Sequence, residues 1–238
     1  MYHNIKRYIL FAGIPVLFAV CILAALINRV STYVIQNTPL DLGKTIIIDA
    51  GHGYPDGGAT SCTGVLESDL NLEISLRLCD LFRFMGARVV MTRETVDSIY
   101  TEGTTIAKKK ISDTRNRVAF INNYQNAVVF SIHQNHFYES KYAGAQVFYA
   151  KTTGSDMLAK ELQRALVNGL DTSDTRKAKK ASGVYLMEHI HHPGVLIECG
   201  FLSNSREEGL LRSSAYQEQL CGVIATGYMQ YLNNHQIS

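Results

Sequence analysis

The first thirty positions carry one hydrophobic pattern and the rest of the chain another. From Tyr8 to Ile27 the sequence runs without a charged side chain for about 20 residues, enough for a helix to cross ~30 Å of hydrocarbon. His3, Lys6 and Arg7 precede this run and Arg29 closes it. By the positive-inside rule the amino terminus is cytoplasmic and everything after Arg29 lies outside the membrane. The run is longer than a usual signal-peptide core, and Leu26-Ile27-Asn28 offers no small-x-small cleavage site. Residues 1–29 are therefore read as an uncleaved, single-pass anchor at the cell membrane, and no polar second face marks them as a core helix. Residues 30–43, polar and containing Pro39 and Gly43, read as a linker.

Beyond Gly43, short β-branched runs alternate with helical periodicity. Lys44–Ala50 has the pattern of a strand buried on both faces. Leu72, Ile74, Leu76, Leu78, Leu81, Phe82 and Met85 follow helical spacing, with Ser68 as a candidate cap and Gly86 as the stop. Arg88–Thr92 predicts a second strand. The polar stretch Thr95–Lys110, ending in three lysines, predicts a surface loop, and Ser112 or Asp113 starts the next helix. Residues 127–132 and 144–150 predict a third and fourth strand, a helix spans Ser155–Asn168, and a polar loop leads to a fifth strand at Gly194–Glu198. In the last helix Ser214 and Gln217 form a candidate capping box, and Leu220, Val223, Ile224, Gly227, Tyr228 and Tyr231 share one face. The alternation predicts a single α/β domain over residues 44–235, with a mostly parallel sheet and helices on both faces, preceded by the transmembrane helix.

Composition narrows the classes. A formal net charge of +2, spread along the chain, gives no support to nucleic-acid binding. The five cysteines include no C-x-x-C pair and form no disulfide framework, and Cys79 and Cys221 fall on helix stripes as small hydrophobes.

In open α/β sheets, ligands bind beyond the carboxyl ends of the strands. The first strand runs into Asp49-Ala-Gly-His52-Gly, the third into Ser131-Ile-His133-Gln-Asn135 and the fifth into Glu198-Cys-Gly-Phe201, while Glu67 stands at the start of the first helix. Two histidines and one carboxylate are a full protein ligand set for a catalytic zinc with an open position. The spacing is unlike H-E-x-x-H, and both plain readings stay open: a histidine after a strand as a loop residue, a Glu before a helix serving the dipole. Glu198 is costly to bury unpaired at the end of an apolar strand.

Several ordered motifs then carry a resemblance. Ile-Ile-Asp-Ala-Gly-His52-Gly followed by Asp56-Gly-Gly-Ala, Gly64-Val-Leu-Glu67 before a Leu-rich helix, and Gly86 to Met-Thr92-Arg93 are three of them. Arg117 with Asn122, Ser-Ile-His133, and Glu198-Cys-Gly-Phe-Leu-Ser-Asn204 complete the set. Together they resemble the zinc-dependent N-acetylmuramoyl-L-alanine amidases of the Amidase_3 type. The resemblance implies that His52, Glu67 and His133 bind Zn2+, that Glu198 is the catalytic acid/base, and that the substrate is peptidoglycan, cut between N-acetylmuramic acid and L-alanine. Gln134 and His136 stand where the family usually has small residues, and Cys199 where threonine is common. The anchored single-domain layout is similar to the CwlD-type amidases of endospore formers, which implies a role in the spore cortex. An accessory protein is left open by the sequence. Two other readings stand beside this one: a non-catalytic peptidoglycan-binding or regulatory module of the same fold, and a zinc peptidase acting on stem peptides. His136 is expected on the surface, and His189, His191 and His192 are expected as solvated loop residues. Cys199 is disfavoured as a nucleophile by the like charge of Glu198.

Overall fold

Strand β1 (Thr45–Ala50) is buried at every residue because it has neighbours on both edges and helices on both faces. The computed structural model describes residues 43–171 and 174–235. The expected anchor, and all of the expected linker except Gly43, lie outside them. Among the described residues no helix is long and apolar enough to cross a membrane.

The sheet continues through β2 (Val89–Met91), β3 (Ala127–Asn135), β4 (Gln146–Tyr149), β5 (Lys179–Lys180) and β6 (Gly194–Phe201), in the order β2-β1-β3-β6-β4-β5. Strands β2, β1, β3 and β6 are parallel, β4 is antiparallel to β6, and the two-residue β5 pairs in parallel with β4. The helices are α1 (Glu67–Phe84), α2 (Ile106–Asn122), α3 (Ser155–Leu170), α4 (Tyr185–His189), α5 (Ser205–Leu211) and α6 (Ser214–His235).

Alternation along the strands splits the core in two. Ile46, Ile48, Val128, Phe130, Ile132 and Ile197 face a large cluster with Leu78, Phe82, Leu162, Ile224 and Tyr228 from α1, α3 and α6. Ile47, Val129 and Leu196 face a smaller one with Ile121, Leu186 and Met187 from α2 and α4. Phe82, Phe130 and Tyr228 meet at the centre of the larger cluster, with ring centroids 5.3–5.8 Å apart. Both faces are covered, as the near-continuous apolar strands require.

Three local expectations are corrected. α2 begins at Ile106, not at Ser112 or Asp113, because Thr105 caps it by accepting from Lys108 N. The three lysines form its exposed first turns, where solvation rather than burial hides the helical pattern. Ser112 and Asp113 are buried instead and hold the preceding loop: Ser112 Oγ accepts from Thr101 N, and Asp113 Oδ1 from Ile99 N at 2.7 Å. Ser68 lies inside α1, whose N-cap is Leu66. The Gln217 side chain donates to Leu211 O and Glu73 and accepts from Arg77, tying α6 to α1 rather than closing a capping box. The short α4, α5 and β5 escaped prediction because none spans enough turns or residues to show a period.

Phe82 tests the core. Phe82→Ala should cost about 3–5 kcal/mol in urea unfolding, through lost burial and the cavity left behind. Phe84, on the same helix but 79% exposed, should cost no more than about 0.5 kcal/mol when changed to alanine. Equal losses at both positions would contradict this packing.

Candidate metal centre

The carboxyl edge of the sheet is held by buried charge. Asp49, at the end of β1, accepts hydrogen bonds from Thr92 Oγ1 (2.7 Å), Ser131 Oγ (2.6 Å) and Arg117 Nη1 (2.7 Å). Burial alone would raise its pKa, but the Arg117 guanidinium and the two hydroxyls outweigh that and hold the carboxyl at about 2. Arg117 reaches this pocket from α2, pairs its Nε with Asp113 Oδ2 (2.8 Å), and donates to the carbonyls of Ala50 and His52. Arg93 donates to the carbonyls of Ala50 (2.9 Å), Gly51 (3.0 Å) and Ser68 (2.8 Å). Two guanidiniums thus grip the loop after β1 by its backbone. His52 sits there at φ 60°, a left-handed conformation uncommon for a residue with a Cβ, and the clamp supports it.

His52, Glu67 and His133 converge from three separate segments. One ligand atom from each lies within 4.8 Å of the others. His52 donates from Nδ1 to Asp56 Oδ2 at 2.7 Å, and its Nε2 is 3.3 Å from Glu67 Oε2. His133 Nδ1 is 3.0 Å from Glu67 Oε1. The Glu67 carboxylate, in the first turn of α1, also accepts from Ala59 N, Gln134 N and Asn71 Nδ2. Burial works against ionisation of Glu67, yet the two imidazoles hold its carboxyl far below the usual range. Burial likewise disfavours a charged His52, but its bonds to Asp56 and Glu67 prevail and lift it to about 9. The centre therefore collects positive charge, and a divalent cation would take the place of those protons.

The residues fit such an ion. Two imidazoles and a carboxylate are the donor set of an open, catalytic zinc site, and Asp56 orients one imidazole from behind. Glycines make room: a Cβ on Gly51 would lie 2.4 Å from the His133 ring, and one on Gly58 would lie 2.6 Å from Glu67 Oε2 and 2.8 Å from His52 Cδ2.

Glu198 on β6 stands in register opposite His133 on β3, on the sheet face it shares with Leu196. Its Oε2 is buried and, among the described residues, has no hydrogen-bond partner. Burial pushes its pKa up, Glu67 adds to the push, His133 and His52 oppose it, and the balance lies at about 7. Beside it a cavity of about 320 Å³ opens between α2 and α4, reaching His52, His133, Lys110 and Tyr185. A pair of imidazoles, two carboxylates and a groove at one sheet edge can bind a metal, move a proton and hold a chain-like substrate.

All four expected site residues meet at this edge. Asp56 and Lys110, which meet at 3.1 Å, and the clamping role of Arg93 and Arg117 go beyond the four residues expected from the sequence. Asp56, Arg93 and Arg117 stand in the Asp56-Gly-Gly, Thr92-Arg93 and Arg117 motifs without a stated role, whereas Lys110 belongs to no motif. Cys199 is buried, and desolvation raises its thiol well above the ordinary value, which removes it as a nucleophile. Cys79 and Cys221 are buried as expected and His136 is exposed. His192 departs from the solvated-loop reading: it is buried, and its carbonyl accepts from Thr152 Oγ1.

A model of the family described as N-acetylmuramoyl-L-alanine amidase (Amidase_3) matches residues 46–230. The germination-specific N-acetylmuramoyl-L-alanine amidase of Bacillus subtilis (strain 168) is 41% identical over 191 residues, covering 79% of this chain and 80% of that protein. Among solved structures, the CwlD amidase from Clostridioides difficile in complex with the GerS lipoprotein is similar at TM-score 0.77 and 40% identity, covering 80% of this chain and 99% of that one. An N-acetylmuramoyl-L-alanine amidase from Clostridium difficile 630 is similar at TM-score 0.70 and 29% identity, covering 81% and 98%.

Two substitutions probe the geometry by metal titration. Asp56→Ala should weaken metal affinity by roughly 10–100-fold, the usual effect of losing a carboxylate behind a ligating histidine. Gly51→Ala should displace the His133 ring and lower affinity in a protein that still folds. Wild-type affinity in both variants would place the metal elsewhere.

Proposed function

The chain belongs to the N-acetylmuramoyl-L-alanine amidase family and is a peptidoglycan amidase, and from that premise we propose a zinc enzyme in which His52, Glu67 and His133 hold the metal and Glu198 moves the proton. The observation that carries this reading is the convergence of two imidazoles and a carboxylate within 4.8 Å, directly beside a buried carboxyl poised near neutrality.

Zinc at that position supplies Lewis acidity, making water nucleophilic near neutral pH and polarising the amide carbonyl. The chain's own residues do the rest. Asp56 holds the His52 ring in one tautomer by accepting from Nδ1, which leaves Nε2 facing Glu67. Glu198 accepts a proton from the attacking water. As water oxygen bonds to the lactyl carbonyl carbon and the C–N bond breaks, Glu198 returns that proton to the departing L-alanine nitrogen, too basic to leave unprotonated. Its pKa near neutrality suits both halves of the transfer.

We further propose that the domain works outside the cytoplasmic membrane on cell-wall or cortex peptidoglycan, tethered by residues 1–29. The uncharged run behind Lys6 and Arg7 supports the tether, and the 41% identity to a germination-specific amidase supports the cortex role. A lipoprotein is the class of accessory partner to look for, since the similar CwlD amidase was solved with one.

Glu198→Gln should keep metal content while lowering turnover of purified peptidoglycan by roughly 10²–10⁴-fold. Mass spectrometry of wild-type digests should find new L-alanine amino termini; cleavage within the peptide would indicate a peptidase instead. Because Glu198 must be ionised to act as a base, kcat/KM should rise with pH on a one-proton limb and level at or below about 7, since a nearby cation favours the carboxylate. A flat acid limb would remove Glu198 from the role.

A further inference from the structure

The groove beside the metal centre has Lys110 and Thr114 of α2 on one wall and Gly183, Val184 and Tyr185 on the other, with Leu196 in its floor. Apart from the histidines of the metal centre, two cationic side chains line it, Arg117 and Lys110. Arg117 is buried, and its donors are committed to Asp49, Asp113 and the carbonyls of Ala50 and His52. Lys110 differs. Its side chain is 51% exposed, and its Nζ lies 3.1 Å from Asp56 Oδ2, the oxygen that also accepts from His52. An ammonium carries three donors, so this contact leaves capacity for a ligand in the groove. The acids nearby are occupied: Asp49 by Arg117, Thr92 and Ser131, Asp113 by Arg117 and Ile99 N.

The scissile amide joins two arms of different chemistry. The glycan arm is a polyol, whereas the stem peptide carries free carboxylates. A cation with spare donors, sharing the groove with the apolar Val184, Leu186 and Leu196, complements the peptide arm. We propose that this groove receives the stem peptide and that Lys110 binds a free carboxylate on the residue that follows L-alanine, making Lys110 a specificity-determining residue. The proposal rests on the amidase reading above. The helix that clamps the His52 loop through Arg117 presents Lys110 two turns earlier on the groove side.

The test uses the full chain, loaded with zinc, and two synthetic muramoyl peptides that differ only at the second residue, which bears a free carboxylate or its carboxamide. Wild type should prefer the acid in kcat/KM by about tenfold, the size of one charge-assisted hydrogen bond. Lys110→Met should bring the ratio to about one through a raised KM on the acid, and Lys110→Arg should retain the preference. Calorimetric binding of the released peptides, acid against amide, should follow the same order. A Lys110→Met enzyme that keeps the wild-type ratio overturns the proposal. So does one that loses zinc and both activities equally, since Lys110 would then act only through Asp56. A wild type that cleaves neither peptide yet binds the acid form more tightly would contradict the amidase reading and still support the carboxylate site.

Discussion

The buried ion pair between Asp49 and Arg117 is the constraint on which the carboxyl edge of the sheet depends. Neither partner can be taken out of water alone, so each fixes the other, and the pair joins the end of β1 to the middle of α2. Its remaining donors determine what the next three residues do. By gripping the carbonyls of Ala50 and His52 it holds the His52 backbone in a left-handed conformation that its own sterics disfavour. Arg93 completes the grip on Gly51 and carries it to Ser68, in the first turn of α1, next to Glu67. A histidine in the loop after β1 and a helix-borne carboxylate are thereby fixed relative to one another by backbone contacts from two arginines.

The parallel sheet provides the other half of the centre. Register pairing sets His133 opposite Glu198 on neighbouring strands, and a shift in the ladder between His133 and Asn135 ends their regular pairing just beyond the site. Positioning groups by register is economical, because slipping either strand by one residue would turn its side chain into the opposite face and separate the pair. Electrostatics then separates their roles. Glu67 lies among imidazoles and hydrogen-bond donors and stays ionised, whereas Glu198 is desolvated, its Oε2 lacks a hydrogen-bond partner among the described residues, and burial lifts its pKa to about 7. Two carboxylates at one edge thus suit different tasks, one as ligand and one as proton carrier.

Much of this was legible in the sequence. The buried strands announced themselves as β-branched runs, and the rule that ligands gather at strand ends led to His52, His133 and Glu198 before any contact was known. Glu67 became a candidate through its place ahead of a Leu-rich helix and gained weight from the family resemblance. What stayed hidden depends on contacts far apart in the chain. Asp56 became legible as the partner of His52 only once the ring orientation was known, and Lys110 lay in a polar, lysine-rich stretch that reads as loop until Thr105 is seen to cap it. Ser112 and Asp113 misled for a related reason: residues that suit a helix start also suit holding a loop from mid-helix. The short α4, which walls the groove, carries too few residues for its periodicity to be read.

The most direct test of the central claim is X-ray absorption spectroscopy at the zinc edge on the full chain purified with its metal. The account predicts about one zinc per chain, bound by two imidazole nitrogens near 2.0–2.1 Å and a carboxylate oxygen near 2.0–2.2 Å, with the imidazole signal reduced in His133→Ala. Sulfur ligation, or a spectrum unchanged by loss of His133, would contradict it.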